Sequence, residues 1–99
     1  MRLTTQDLAE KLQQAACKAP VGSVWLHFKG GVYLVTGHSV ETENTTTMIH
    51  YRRIGGDGFN AIDEANIVFA RPVLSWFGLG LLEREGEVPL HIDRFRRVS

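Results

Sequence analysis

Little in this chain points to chemistry of a standard kind, and each shortage excludes something. A single cysteine, Cys17, forbids an internal disulfide and fits a reducing compartment. We expect Cys17 to sit as a small buried hydrophobe, since nothing near it in sequence would activate a thiol. Lysine plus arginine equal aspartate plus glutamate, at 11 each, so no net field draws the molecule onto nucleic acid or an anionic membrane. Any anion site must come from a local cluster. No apolar run approaches the roughly 20 residues of a membrane helix, and the polar opening MRLTTQDLAEKLQQ does not read as a secretory signal. The expected location is the cytoplasm, bacterial or that of a phage-infected host.

Catalytic and metal motifs are missing too. His27, His38, His50 and His91 form no helical i, i+4 pair and have no cysteine partner. Ser39 follows His38, but no nucleophile elbow accompanies them. Gly55-Gly56-Asp57-Gly58 lacks the lysine of a phosphate loop and reads as a turn, its other use being a flap over a pocket. The expectation is therefore no catalytic residues, no metal and no cofactor.

What is present is a dense aromatic and basic stretch, VGSVWLHFKGGVYLV, from Val21 to Val35. Its period is two: Val24, Leu26 and Phe28 point one way, Trp25, His27 and Lys29 the other. Lys29-Gly30-Gly31 supplies a hairpin turn, because glycine takes positive φ at little cost. The return strand runs from Val32 to about His38. A polar loop, Glu41 to Thr46, leads to a third strand, Thr47 to Ile54. Phe59 to Ala65 reads as a loop or one helical turn, and Asn66 to Ala70 as a fourth strand ended by Arg71-Pro72. Val73 to Phe77 suits a helical turn and Leu79 to Glu83 a fifth strand. The rest is an extended tail whose Arg94, Arg96 and Arg97 read as solvated.

Before the hairpin, Thr4 to Cys17 reads as a helix. Leu8, Leu12, Ala15 and Ala16 form one apolar stripe, Thr4 is the N-cap with Asp7 as capping-box partner, and Leu3 with Leu8 is spaced for a staple. Its stripe needs the open end of a sheet or a second copy to pack on. Ninety-nine residues make one domain, 1–99, with helix and linker over 1–20 and a barrel with its tail over 21–99. The predicted fold is mainly β (α+β): a small SH3-like antiparallel β-barrel with an N-terminal amphipathic helix.

The residues Trp25-Leu26-His27-Phe28-Lys29-Gly30, followed by Tyr33 and Val35, resemble the signature of domain-of-unknown-function family 1653, roughly G-x-Y-R-H-[FY]-K-G-x-x-Y-x-V. The likeness continues through His38, Glu41-Thr42-Glu43 and Ile49-His50-Tyr51. It resumes at Phe69-Ala70-Arg71-Pro72 with Phe77, against W-x-R-P-x-x-x-F. Trp25, Leu26 and Phe69 depart from the family's tyrosine, arginine and tryptophan. The resemblance covers about four-fifths of the chain, omits the first helix, and implies a small β fold of bacteria and their phages without an assigned activity.

Parity groups Trp25 with His27, Tyr33 with Val35 and Tyr51 with Arg53, and where strand register brings these together with Arg71 and Lys29 the result is one aromatic and basic candidate surface. Rings offer stacking planes, and guanidinium groups offer forks to phosphate. A nucleotide uses both. The bland alternative is that the rings are core and the arginines snorkel over them, or that Arg71 pairs with Glu64 or Asp63. The expected function is a non-enzymatic binding module that binds or sequesters a small anionic, nucleotide-like ligand. A phage-encoded sponge against host immune signalling is one concrete form. The alternatives are a protein-interaction adaptor anchored by Trp25, Trp76 and Phe77, or a small β-barrel binding RNA or DNA. Apolar surface on the helix and at Trp76, Phe77, Leu79, Leu81 and Leu82 further predicts a homo-oligomer.

Overall fold

A computed structural model describes residues 4–83 and 85–99. Helix α1 spans Thr5–Lys18. Thr4 caps it as the sequence predicts: its hydroxyl accepts from the Asp7 N–H at 3.1 Å, and its own N–H donates to the Asp7 carboxylate at 2.9 Å. The Leu3 half of the proposed staple lies outside the described residues. α1 packs on the far end of the sheet through buried Ala15, while Leu8 and Leu12 are half-buried. Cys17 corrects an expectation: it is exposed, because the apolar stripe turns Ala15, not Cys17, toward the sheet.

Strands β1 (Val24–His27), β2 (Gly31–Glu41) and β3 (Thr46–Gly56) follow as an antiparallel meander, with a helical turn α2 (Ala61–Glu64) after β3. β4 is Phe69–Pro72, three residues later than predicted. Asn66 to Val68 do not join it, and Pro72 is tolerated because β4 is an edge strand. A second short helix, α3 (Val73–Trp76), leads to a two-stranded ribbon of β5 (Leu79–Leu82) and β6 (Leu90–Asp93). The chain ends in β7 (Phe95–Arg97), which pairs with β1. The tail expected to be solvated is thus a strand of the main sheet. It was hidden because three residues rich in arginine carry no apolar alternation.

The main sheet has the order β4-β3-β2-β1-β7, antiparallel throughout. No ladder joins β4 to β7, so the predicted closed barrel is an open sheet with two edges. Two irregularities shape it, a register shift at Val32/Tyr33 and another at Val35/Gly37. Such bulges bend a strand and tighten its twist, and one face of the sheet carries the core. Helix α3 is seated against that face: Trp76, with no exposed surface, lies over Trp25, Val35, Ile49, Tyr51 and Phe95, which with Ala19 complete the core. The β1–β2 turn is pinned against the end of β3, where Gly56 has φ +95° and a side chain would strike the Gly30 carbonyl.

Candidate functional site

Register decides which predicted residues meet. Trp25 pairs with Tyr33 and Tyr33 with Arg53, so these form one row across three strands. His27 pairs with Phe95, Tyr51 with Phe69, and Ile49 with Arg71. Directly opposed residues share a face, and side chains two apart along a strand do likewise. Trp25, His27, Tyr33, Tyr51, Arg53 and Arg71 therefore all occupy the face that carries the core, and Lys29 stands in the β1–β2 turn.

The aromatic half of this surface takes the other reading open to it, that of core. Trp25 and Tyr51 are buried at 6% and 7% exposure, because α3 places Trp76 on top of them. Trp76 lies 5.6 Å from Trp25 and 4.9 Å from Tyr51, both edge-on, and stacks on Phe95 at 3.8 Å. The Trp25 indole N–H is already used, donating to the Ser23 hydroxyl at 2.8 Å. These rings are structural: a domain this small fills its core with its largest side chains. Tyr33 and His27 are half-buried and remain at the edge of the cluster. The adaptor reading is corrected on the same ground, since Trp25 and Trp76 are not exposed anchors and only Phe77, at 42%, faces solvent.

The cations divide into two groups. Arg53 is committed to its own turn, where it donates to the carbonyls of Gly55, at 3.0 Å, and Asp57 and pairs with Glu64 at 3.7 Å. This fastens Gly55–Gly58 to β3 and argues against a free flap. It also gives Glu64 to Arg53 rather than to Arg71. Arg71 instead donates to the Tyr51 hydroxyl and the Ser75 hydroxyl, each at 3.3 Å, with its guanidinium 5.5 Å from the centre of the Phe95 ring. Arg94 binds the Ser75 carbonyl, its hydroxyl at 3.1 Å and the Leu79 carbonyl at 2.9 Å, tying α3 and β5 to β7. Sequence reading missed Arg94, because its place depends on the return of the tail beside β1.

His27 sits among these charges. Its ring is 4.9 Å from Phe95, 4.7 Å from Phe28 and 6.3 Å from Tyr33, and its Nδ1 accepts the Lys29 N–H at 3.1 Å. Burial, and then the positive charges of Arg71, Lys29 and Arg94, hold its pKa below the usual imidazole range. Among the described residues no carboxylate pairs with Arg71, Lys29 or Arg94, the ion pair of Arg53 with Glu64 being the one within 4.0 Å. A half-buried cationic group without a counter-charge is costly unless something anionic joins it. Beside His27 lies a hollow of about 370 Å³ lined by Leu26, His27, Phe28, Gly30, Ile92, Asp93 and Arg96, the opposed pair Leu26 and Arg96 forming its wall on the face away from Arg71.

The other histidines serve elsewhere. His38 bonds the Ala19 carbonyl at 2.7 Å, holding the end of α1 to β2, and Ser39 bonds His50 at 2.6 Å. His50 alternates with Ile49 and Tyr51 and so lies on the opposite face from His27. Among the described residues no three histidine, cysteine or acidic side chains gather in a way that would hold a metal.

A family model described as "Protein of unknown function (DUF1653)" matches residues 23–97. No curated protein and no solved structure matches the chain significantly.

Proposed function

The chain belongs to the DUF1653 family, and from the site it carries we propose that it is a non-enzymatic binding module for a small anionic, nucleotide-like ligand. One observation carries this reading: Arg71, Lys29 and Arg94 surround His27 with no carboxylate to neutralise them. Arg94 spends its donors on carbonyls. Arg71 keeps one terminal nitrogen without a protein acceptor, and Lys29 keeps its amine. Those two would meet phosphate oxygens. The base would lie against His27, Phe28 or Tyr33, the rings left at the edge of the core. A hollow of about 370 Å³ falls at the small end of ligand-binding cavities.

A binding module rather than an enzyme is the reading we take: cations, rings and one histidine make up most of the ligand position, Asp93 is the one carboxylate among the described residues that line the hollow, and the Ser75 hydroxyl is already bonded by Arg71 and Arg94. Capture without turnover is what a sponge for a nucleotide-derived signal would require. The scaffold we read as an unclosed SH3-like barrel, in which the last strand returns beside the first and a short helix precedes that return.

The test is thermal unfolding of the purified protein with cyclic and linear nucleotides, inorganic pyrophosphate and a neutral nucleoside. A phosphorylated ligand should raise the melting temperature and be recovered chemically unchanged after denaturation. No shift with any anion would overturn the reading, and recovery of a converted product would replace the binding module with an enzyme.

A further inference from the structure

A second groove, of about 380 Å³, lies between α1, the β2–β3 connection and the start of α3. Its α1 wall presents Lys11 and Lys18, seven residues and hence two turns apart on one side of the helix, about 10 Å along the axis. Thr45 and its neighbours form the opposite wall, Val73 the floor, and Leu74, 90% exposed, the lip. No carboxylate lines it. The α1 wall also lies outside residues 23–97, the part matched by the family. Such a groove fits an acidic segment that ends in an apolar residue.

The chain contains that segment. Between β5 and β6 it reads Glu83-Arg84-Glu85-Gly86-Glu87-Val88, so three glutamates face one arginine, and Val88 is 82% exposed. The segment does not line the groove of its own molecule. β5 packs through Gly80 on Phe28, at the β1–β2 turn, whereas α1 bonds Thr45, at the β2–β3 turn, through Lys11 at 3.4 Å. The 11 residues of β2 run between these two turns.

We propose that copies of this chain associate head to tail, the acidic β5–β6 connection of one molecule docking in the Lys11–Lys18 groove of the next. The contact joins two different surfaces, so repeated addition gives a ring or a filament, not a two-fold dimer. Glutamates of the incoming tip meet the two amines, and Val88 covers Leu74.

Sedimentation velocity over a concentration series tests this with two charge-reversed variants, K11E/K18E and E85K/E87K, all exposed positions. Wild-type protein should self-associate, and less so in high salt. Each variant alone should associate about tenfold more weakly or worse, because like charges then face each other. Mixed one to one they should associate again, since each tip now meets a groove of opposite sign. That recovery separates docking from misfolding. A wild-type monomer at millimolar concentration, association indifferent to both variants, or a mixture that stays dissociated would each overturn the proposal, as would binding of an acidic peptide by a protein that never self-associates.

Discussion

Replacing Arg71 with methionine separates a structural arginine from one kept for a ligand. The substitution removes two hydrogen bonds, to Tyr51 and Ser75, each at the long distance of 3.3 Å. Bonds of that length contribute about 0.5–1 kcal/mol apiece. The guanidinium's contact with the Phe95 ring, at 5.5 Å, adds about 0.5–1 kcal/mol. The loss is therefore about 2 kcal/mol. Against it stands a half-buried cation that has no carboxylate partner and shares its surroundings with Lys29, Arg94 and His27. Methionine keeps most of the packing of the arginine stem and removes that charge. Substituting buried ionic groups with apolar ones of similar volume is often neutral or stabilising. The two effects nearly cancel, and Arg71→Met should change unfolding free energy by less than about 1 kcal/mol, or about 4–8 °C in a domain of this size. Ligand binding behaves otherwise. Wild-type protein held at a hundredfold excess of ligand over Kd gains about 2.7 kcal/mol. The variant should lose that gain. Urea unfolding of the apo proteins, with thermal melts in the presence of pyrophosphate and nucleotides, measures both quantities. A loss above about 3 kcal/mol without ligand would show Arg71 to be a structural tie. A ligand shift surviving the substitution would remove it from the site.

Three other outcomes are expected. His27 has a folded pKa below its ordinary value of 6.5, so the unfolded chain takes up the proton first. Its contribution to stability is complete above that value, declines as pH falls below it, and levels off once folded His27 also titrates; His27→Phe should flatten this part of a plot of urea midpoint against pH, and an unchanged slope would show the imidazole is not its source. Gly80→Ala places a methyl group 2.6 Å from the Phe28 Cζ, an overpacking expected to cost about 1–3 kcal/mol; adding Phe28→Leu should recover part of the melting temperature, and a neutral Gly80→Ala would show that the ribbon does not rest on Phe28. Thr4→Ala deletes one half of the capping box and should cost about 1 kcal/mol of helix stability, seen as helical circular dichroism lost at lower temperature than tryptophan fluorescence; coincident loss would show that α1 and the sheet unfold as one.

The strands from Val24 to Gly56 were legible because two-residue alternation and glycine turns are local signals. Their lengths were less so. β2 continues three residues past His38 by absorbing a bulge at Thr36–Gly37, and a bulge breaks the parity that sequence reading relies on. Parity grouped Trp25, Tyr33 and Tyr51 with their neighbours strand by strand, but that they share a face with Arg71 needed the register of the ladders. Which of those rings would be covered did not, because the covering residue is Trp76, brought in by a four-residue helix. Nor could spacing reveal β7: Phe95 is its one inward anchor, and its partner β1 lies about seventy residues earlier. Arg94 was unreadable for the same reason. Pairings of such separation leave no periodic trace in the chain, only a requirement that some strand cover the free edge of β1.

The same residues that suggest a ligand also build the core, and the structure lets the two roles be separated by charge. Aromatic side chains are ambiguous in a small domain, since burying them is its main source of stability. Trp25, Tyr51, Trp76 and Phe95 pack on one another in the core, with the Trp76 indole N–H buried there without a partner among the described residues. Cations are not explained by packing, because burial opposes them and only specific partners recover the cost. Arg53 has its partner in Glu64 and the carbonyls of its turn, and Arg94 has the carbonyls of Ser75 and Leu79. Arg71 has two hydroxyls, which accept hydrogen bonds but bring no opposite charge, and the histidine beside it is held neutral. A fold that needed only a tie between β4 and α3 could have used a glutamine there. The positive charge is the part that packing leaves unexplained, and Lys29 and Arg94 join it in acting on His27.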